Sequence, residues 1–491
     1  MLRSIKLFFE ELEANEILYC HWKSNEHLLP ALEGETDLDM LFLPEQRAKL
    51  EEVLNKFNMK RFRDMPLMQY NAVEDFIGFD VETAKIWHLH LHYRLTLGEK
   101  HLKGYTISNW GRWLIENRIL SENKVYTSCF EDELILLLSR IALKIRFRDL
   151  LSNIGDDETK ELTWLLERID NRKLQERLHL FLGDEARCEM EKQIQKIPVK
   201  MRTLLKLQKI LRHQLEPFTS YTQISSFFAR ERREFAWLIG AVLRHGGFNP
   251  TKPSRRVSPS GGCAVAFVGS DGAGKSTTIA YLNKEFSKKI DVKCIYLGSG
   301  DGSSSLLRKP MKAVAKKVGG KGLGDKVEKE YEGKSNKISI KARLYSFAKI
   351  IWALTLAVEK KKKIKKITKA RNSGMLVLID RYPQIDFPGY SDGPLLDKYL
   401  SNQKGILYKI ALFEKGIYEF AQINKPDLAL KLIVSPEIAI DRKPEMTKEQ
   451  IDAKINAVMN MNIAEQSYVI DTNTDKIRSF SSAMEKIWEM I

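Results

Sequence analysis

The sequence predicts an α/β protein whose C-terminal domain is built on a parallel sheet, preceded by an α+β domain and a helical domain. Three observations carry that expectation. Five short apolar runs at 264–268, 292–297, 375–379, 428–434 and 468–470 alternate with amphipathic stretches, the pattern of βα units. Leu134, Leu137, Leu138, Ile141 and Ile145 fall at helical spacing, and Leu/Arg/Glu/Lys-rich stretches continue to about residue 244. Between them, the segment 249–262 breaks every periodicity with Pro, Ser and Gly, as a linker should. The expected organisation is therefore 1–125 α+β, 126–248 helical, 249–262 linker and 263–491 parallel-sheet domain with a basic insertion at 301–371. No internal repeat interrupts this order.

The 491 residues suffice for two to four domains at ~100–200 residues each. The longest uncharged apolar stretch, 350–358, is far short of the ~18 residues a spanning helix needs, and the first residues turn acidic directly after a short apolar run. Neither a membrane span nor a cleaved signal is expected. Cys20, Cys129, Cys188, Cys263 and Cys294 are odd in number, scattered and without a CxxC pair, which argues against a disulfide framework or zinc knuckle and for a cytoplasmic protein. The net charge of +16 is concentrated: residues 301–371 hold 21 Lys and Arg against 6 Asp and Glu. That segment reads as a solvated loop and Lys-rich helix or as a contact for a polyanion, and the residues alone leave both open.

In the first domain, Leu7, Phe8, Leu12 and Ile17 predict an amphipathic start. Residues 37–43 predict a strand, and 76–80 with 86–93 a hairpin turning at 81–85. Asp37 and Asp39, at i and i+2, fall on one side of their strand, a spacing suited to divalent metal in nucleotidyl transfer. His88, His90 and His92 share a face of the following strand and either join those aspartates around a metal or form a hydrogen-bonded strand face. With the segment from Tyr19 to Asn25, these residues resemble the nucleotidyltransferase fold over about the first 110 residues. That resemblance implies an active or a binding-only domain. The fold expects a third carboxylate on a neighbouring strand, where this chain shows the histidines.

The strongest motif is Gly269-Ser-Asp-Gly-Ala-Gly-Lys-Ser276, which fits GxxxxGK[ST] between an apolar strand and a helix. Such a P-loop curls so that backbone N–H groups of Gly269, Asp271, Gly272, Ala273, Gly274, Lys275, Ser276 and Thr277 surround phosphate oxygens at a helix N-terminus. Lys275 would reach the β/γ-phosphates of ATP, and Ser276 would ligate Mg²⁺. Asp380 and Arg381 end the apolar strand 375–379, where an α/β sheet binds its ligand. There Asp380 could hold Mg²⁺-bound water and Arg381 clamp a phosphoryl oxygen.

Residues 269–277, 374–382, 426–442 and 469–471 together resemble the thymidylate kinase family. The resemblance implies that Asp271 faces the acceptor, that Asp380 and Arg381 are the family's Asp-Arg pair, and that Arg442 opens a lid over the nucleotide. The chain departs from the family at 383–394, where a base-reading segment is replaced, at Glu359-Lys360-Lys361, where the family has an acceptor-binding Arg, and at 297–305. The expectation is thus an ATP·Mg²⁺-dependent phosphotransferase with Lys275, Asp380, Arg381 and Arg442 as catalytic residues, acting on a small anionic acceptor other than dTMP. The alternatives are a nucleic-acid end-processing enzyme that contacts its strand through 301–371, and a nucleotide-binding regulator without turnover. The oligomeric state is open, a dimer included.

Overall fold

The computed structural model describes residues 1–64, 67–70, 72–146, 149, 153–195, 199–219, 221–245, 253–298, 340–388, 392–401, 404–442, 447–473 and 475–491. It divides into two compact units, 1–250 with 254–259, and 251–253 with 260–491.

The first unit opens with the helix Arg3–Ala14, which buries Ile5, Phe8, Phe9 and Leu12. Leu7, expected on that face, is 43% exposed, because the buried stripe follows Ile5 and Phe9 instead. The chain then forms β1 (Tyr19–His21), β2 (Asp37–Phe42), β3 (Lys60–Phe62), β4 (Val73–Asp80), β5 (Lys85–His92), β6 (Leu95–Leu97), β7 (Tyr105–Ile107), β8 (Ile119–Leu120) and β9 (Tyr126–Thr127). Seven of these make one mixed sheet in the order β3-β4-β5-β2-β1-β9-β8. The expected hairpin is β4–β5, closing at Asp80 opposite Lys85. Gly78 is required there, since a Cβ would lie 2.3 Å from the Trp87 ring. Alternation along β5 sends Trp87, Leu89 and Leu91 into a core with Phe8 and Phe76, and turns His88, His90 and His92 to the opposite face.

The helical block does not stand apart from this sheet. Leu134, Leu137, Leu138 and Ile141 of the helix Phe130–Lys144 share one core with Cys20 and Leu41 of the strands, with Trp22 just after β1, and with Leu162, Leu178 and Leu207 of later helices. The boundary expected after residue 125 is thus spanned by continuous packing, because that helix is buried nearly all round, its polar residues Glu131, Asp132, Glu133 and Ser139 included. Part of the expected linker is also ordered against this unit: Arg63 and Val257 exchange backbone hydrogen bonds of 2.9 Å, and Arg256 reaches Asp75 at 2.9 Å.

The second unit holds β10 (Ala264–Gly269), β11 (Val292–Tyr296), β12 (Leu376–Asp380), β13 (Leu428–Ile433) and β14 (Gln466–Asp471), all five near the predicted runs. They form a parallel sheet in the order β11-β12-β10-β13-β14. Ala264, Val265, Ala266 and Phe267 are fully buried, as the central strand of a sheet covered on both faces must be. The chain leaves β10 to one side for β11 and β12 and crosses to the other for β13 and β14. The crevice at the carboxyl end of β10 is therefore a topological switch point. Of the basic insertion, residues 301–339 lie outside the described residues, while 340–371 belong to the long helix Ile340–Asn372. Among the described residues no helix is long and apolar enough to cross a membrane.

Candidate active site

The switch-point crevice is built by the loop after β10. Gly272 and Gly274 adopt φ of +84° and +80°, the left-handed region that side chains rarely tolerate, and Gly272 also passes close to the backbone of Ala439. Between them the wholly buried Ala273 anchors the turn. Gly274 precedes the helix Lys275–Phe286, whose free N–H groups face the crevice together with Ser276 and Thr277. Lys275 is only 8% exposed; its Nζ folds back to donate to the carbonyls of Gly269 at 2.9 Å and Ser270 at 2.7 Å. Burial, and then the Arg381 cation, push its pKa down to about 8.

Strand register aligns Asp380 with Phe267, next to this loop. Burial raises the Asp380 carboxyl above its ordinary range, while Lys275 and Arg381 act against that rise. Its Oδ1 is buried without a hydrogen-bond partner, and Ser276 neighbours the carboxylate as a hydrogen-bonding side chain. An orphaned carboxylate oxygen beside the P-loop hydroxyl is a donor set that fits Mg²⁺.

Arg381 has φ +67°, a strained conformation for a non-glycine residue, and its N–H is held by the Phe267 carbonyl at 3.0 Å. The turn aims its guanidinium at Asp271, 3.2 Å away, and at Asp392, 3.5 Å away. Asp271 also meets Lys454 at 2.5 Å; burial alone would raise its pKa, but Lys454 and Arg381 hold it below the usual carboxylate value. Arg442 donates to the Gly272 carbonyl at 2.9 Å. Asp271, Lys275, Asp380, Arg381 and Arg442 line a cavity of about 490 Å³ together with Tyr296, Thr472, Lys476 and Phe480. Phe480 stacks on Tyr281 at 4.2 Å, giving one wall an aromatic face.

The segment after Tyr382 does structural duty. Tyr382 donates its hydroxyl to the carbonyls of Ala421 and Asn424, and the fully buried Gln384 bonds the backbone of Phe387. Asp392 instead projects between Arg381 and Lys360. Lys360 is buried, donates to the Asp392 carbonyl at 3.0 Å and the Tyr418 hydroxyl at 3.2 Å, and has its pKa lowered by burial. The Lys-rich run is thus partly turned inward, since Lys363 also donates to the Tyr296 carbonyl at 2.8 Å.

In the first unit, parallel register sets Asp37 opposite His88 and Asp39 opposite His90. Asp37 meets His88 Nδ1 at 2.8 Å, and His88 Nε2 meets Asp75 at 2.8 Å, which in turn pairs with Arg256. Asp39 Oδ1 lies 2.9 Å from His90, 3.4 Å from His92 and 2.7 Å from Lys23. The two aspartates therefore enter separate clusters. A third carboxylate is present as Asp75 on β4, which pairs with β5 and lies two strands from β2. Lys454, Asp392, Phe480 and Arg256 were missed; each lies in an element without a motif of its own.

No protein-family model matches the chain. It is similar to the uncharacterized ATP-binding protein YghR of Escherichia coli (strain K12), 27% identical over 198 residues that cover 40% of this chain and 74% of the relative. Similarity to the uncharacterized ATP-binding protein YghS of the same strain is 27% over 192 residues, 39% of this chain and 77% of the relative. Among solved structures it is similar to thymidylate kinase from Candida albicans, with 16% identity and a TM-score of 0.28 over 47% of this chain and 92% of that one. Deoxyadenosine kinase from M. mycoides with bound dATP follows at 16% identity and a TM-score of 0.25, over 46% and 98%. By its own strand order and glycine-bounded loop, the second unit is a parallel-sheet α/β domain that carries a P-loop.

Proposed function

We propose that the protein is an ATP·Mg²⁺-dependent phosphotransferase whose acceptor is a small anionic molecule, a nucleotide or a phosphorylated metabolite. The observation that carries this reading is the convergence of Lys275, Asp380, Arg381 and Arg442 on one cavity beside a helix N-terminus. The names of the curated relatives support ATP as the nucleotide.

In this reading Lys275 exchanges the Gly269 and Ser270 carbonyls for β- and γ-phosphate oxygens. The loop N–H groups hold the phosphates in place. Ser276 and Asp380 would hold Mg²⁺, which supplies charge neutralisation across the transferred group when bound. Arg381, kept by its strained turn between Asp271 and Asp392, clamps the moving phosphoryl group, and Arg442 closes over the nucleotide. Phe480 offers a stacking face to an adenine. On the acceptor side, Arg381 supplies positive charge to the cavity, with Asp392 as one of its resting partners. Tyr382 and Gln384, at the start of the segment that departs from the thymidylate kinase pattern, are consumed internally, which argues against dTMP. The inward Lys360 and Lys363 favour a small acceptor over a nucleic-acid strand. Free cysteines throughout fit a cytoplasmic setting.

Transfer of label from γ-labelled ATP to a panel of nucleoside monophosphates and sugar phosphates tests the proposal. One acceptor should be labelled efficiently and dTMP poorly, with transfer lost in Asp380→Asn. Failure to label any acceptor, or full transfer by a folded Asp380→Asn variant, refutes it.

A further inference from the structure

We propose that Asp39, His90 and His92 form a binding site for one divalent transition-metal ion of the Zn²⁺ class, separate from the Mg²⁺ site assigned to the P-loop. This inference does not rest on the phosphotransferase reading. It also differs from a metal held by Asp37 and Asp39 together, because Asp37 is engaged by the His88–Asp75–Arg256 chain.

The sheet itself assembles the three donors. Register places His90 opposite Asp39, and the period of two along β5 puts His92 on the same face. Two donors bound to one tetrahedral ion, each ~2.0–2.1 Å from it, lie roughly 3.3 Å apart. The Asp39 oxygen is 2.9 Å from the His90 nitrogen and 3.4 Å from the His92 nitrogen, and all three ligand atoms lie within 4.8 Å of one another. Neither side chain need move far to accept an ion.

Burial and hydrogen bonding point the same way. The His92 side chain is completely buried, its Nδ1 has no hydrogen-bond partner, and Nε2 has only the long contact to Asp39. An ion at Nε2 would give that nitrogen a strong partner in place of the long contact.

Two imidazoles with one carboxylate select a borderline ion rather than Mg²⁺ or Ca²⁺, which prefer oxygen. Three protein ligands leave a coordination position open. Lys23 Nζ, 2.7 Å from Asp39, pairs with that carboxylate and would compete with the ion for it.

Equilibrium dialysis and visible absorption with Co²⁺ as the probe test the site on the full chain without nucleotide. An Asp380→Asn background removes uptake at the P-loop. One Co²⁺ per chain with d–d bands of a low-coordinate N/O site is expected, displaced by Zn²⁺. His90→Gln, at the least buried of the two histidines, should weaken binding at least tenfold while circular dichroism shows a folded protein. Lys23→Met should tighten it, since the competing ammonium is gone. Absence of stoichiometric uptake overturns the site, as does unchanged affinity in folded His90→Gln. Weaker binding in folded Lys23→Met would also count against the stated ligand set.

Discussion

The P-loop unit and the N-terminal unit both gather charged side chains above a sheet, yet they satisfy those charges by different means. In the P-loop unit, cations face exchangeable partners: Lys275 rests on two backbone carbonyls, Arg442 on a third, and Arg381 spans the carboxylates of the partly open Asp271 and the buried Asp392. A polyphosphate can take each cation from its resting partner. In the N-terminal unit the charges are chained, with Asp37, His88, Asp75 and Arg256 bonded in sequence and largely buried. Removing any one member there leaves its neighbours unpaired. The first arrangement is poised for an anionic ligand, and the second binds its own chain together except at Asp39, His90 and His92.

The largest effect that can break this comparison is expected at Lys275. Lys275→Met keeps the buried aliphatic stem, which matters because this lysine is 8% exposed and not the free loop side chain that its motif position implies. Phosphoryl transfer should fall at least ~10²- to 10³-fold, the cost of losing one preorganised electrostatic contact to a transition state. Thermal unfolding should move little. Retained steady-state turnover by the folded variant would show that the carbonyl-bound lysine is structural, and the contrast between the units would collapse.

Arg381 comes next. Arg381→Gly removes the guanidinium while relieving a φ of +67°, a strain of ~1–2 kcal/mol for a non-glycine residue. Transfer should drop by at least tenfold, with unfolding free energy within ~1 kcal/mol of the parent, since strain relief and the remaining cations Lys454 beside Asp271 and Lys360 beside Asp392 offset the two lost ion pairs. Denaturant melts and initial rates read both numbers. A large loss of stability would place Arg381 in the same chained class as Arg256.

A smaller effect separates the units by pH. Glu133 is buried in the first unit, where burial, and then Glu161, raise its pKa to about 7 despite bonds from Asn25. Ser128 and Arg140 also face it. The folded state therefore binds a proton that the unfolded chain, with an ordinary glutamate, has already lost between about pH 4.5 and 7. The sign follows directly: with more protons on the folded state, this group's contribution is present at low pH and is lost as pH rises through about 7. Glu133→Gln should flatten the stability profile over that window. An unchanged slope between pH 5 and 7.5 would reject Glu133 as its source.

The same contrast explains what the sequence disclosed. The P-loop residues are contiguous and constrained by backbone geometry, so Gly272, Gly274, Lys275 and Ser276 were legible from spacing, as were all five strands from their apolar runs. Asp392 and Lys454 meet Arg381 and Asp271 only through tertiary folding, from a replaced segment and from an amphipathic helix, and no local pattern marks either. In the N-terminal unit, period two revealed that His88, His90 and His92 share a face. It could not reveal that parallel pairing with β2 would divide Asp37 from Asp39, because register between distant strands is set by the whole sheet. The helix Phe130–Lys144 was legible as a helix. That it fuses the helical block to the sheet follows only from how its circumference is buried.

The smallest expected effect probes independence of the two sites. Every residue lining the P-loop cavity belongs to the second unit, from Asp271 to Phe480. The charges of Asp37 and Asp39 are compensated locally, by His88 and by Lys23 with His90. Coupling between sites needs a shared ligand or a two-state element whose balance both sites bias, and these local pairs provide neither. Asp37→Asn with Asp39→Asn should therefore abolish divalent-metal uptake or any nucleotidyl transfer in the first unit. Phosphoryl transfer by the same full-length protein should stay within about twofold, a change of roughly 0.4 kcal/mol in the barrier. The two readouts must be taken on one preparation, with folding checked by circular dichroism, because Asp37 also anchors the buried His88. If transfer falls tenfold or more in the folded double variant, the N-terminal carboxylates act on the acceptor of the P-loop domain, and the two units make one composite active site.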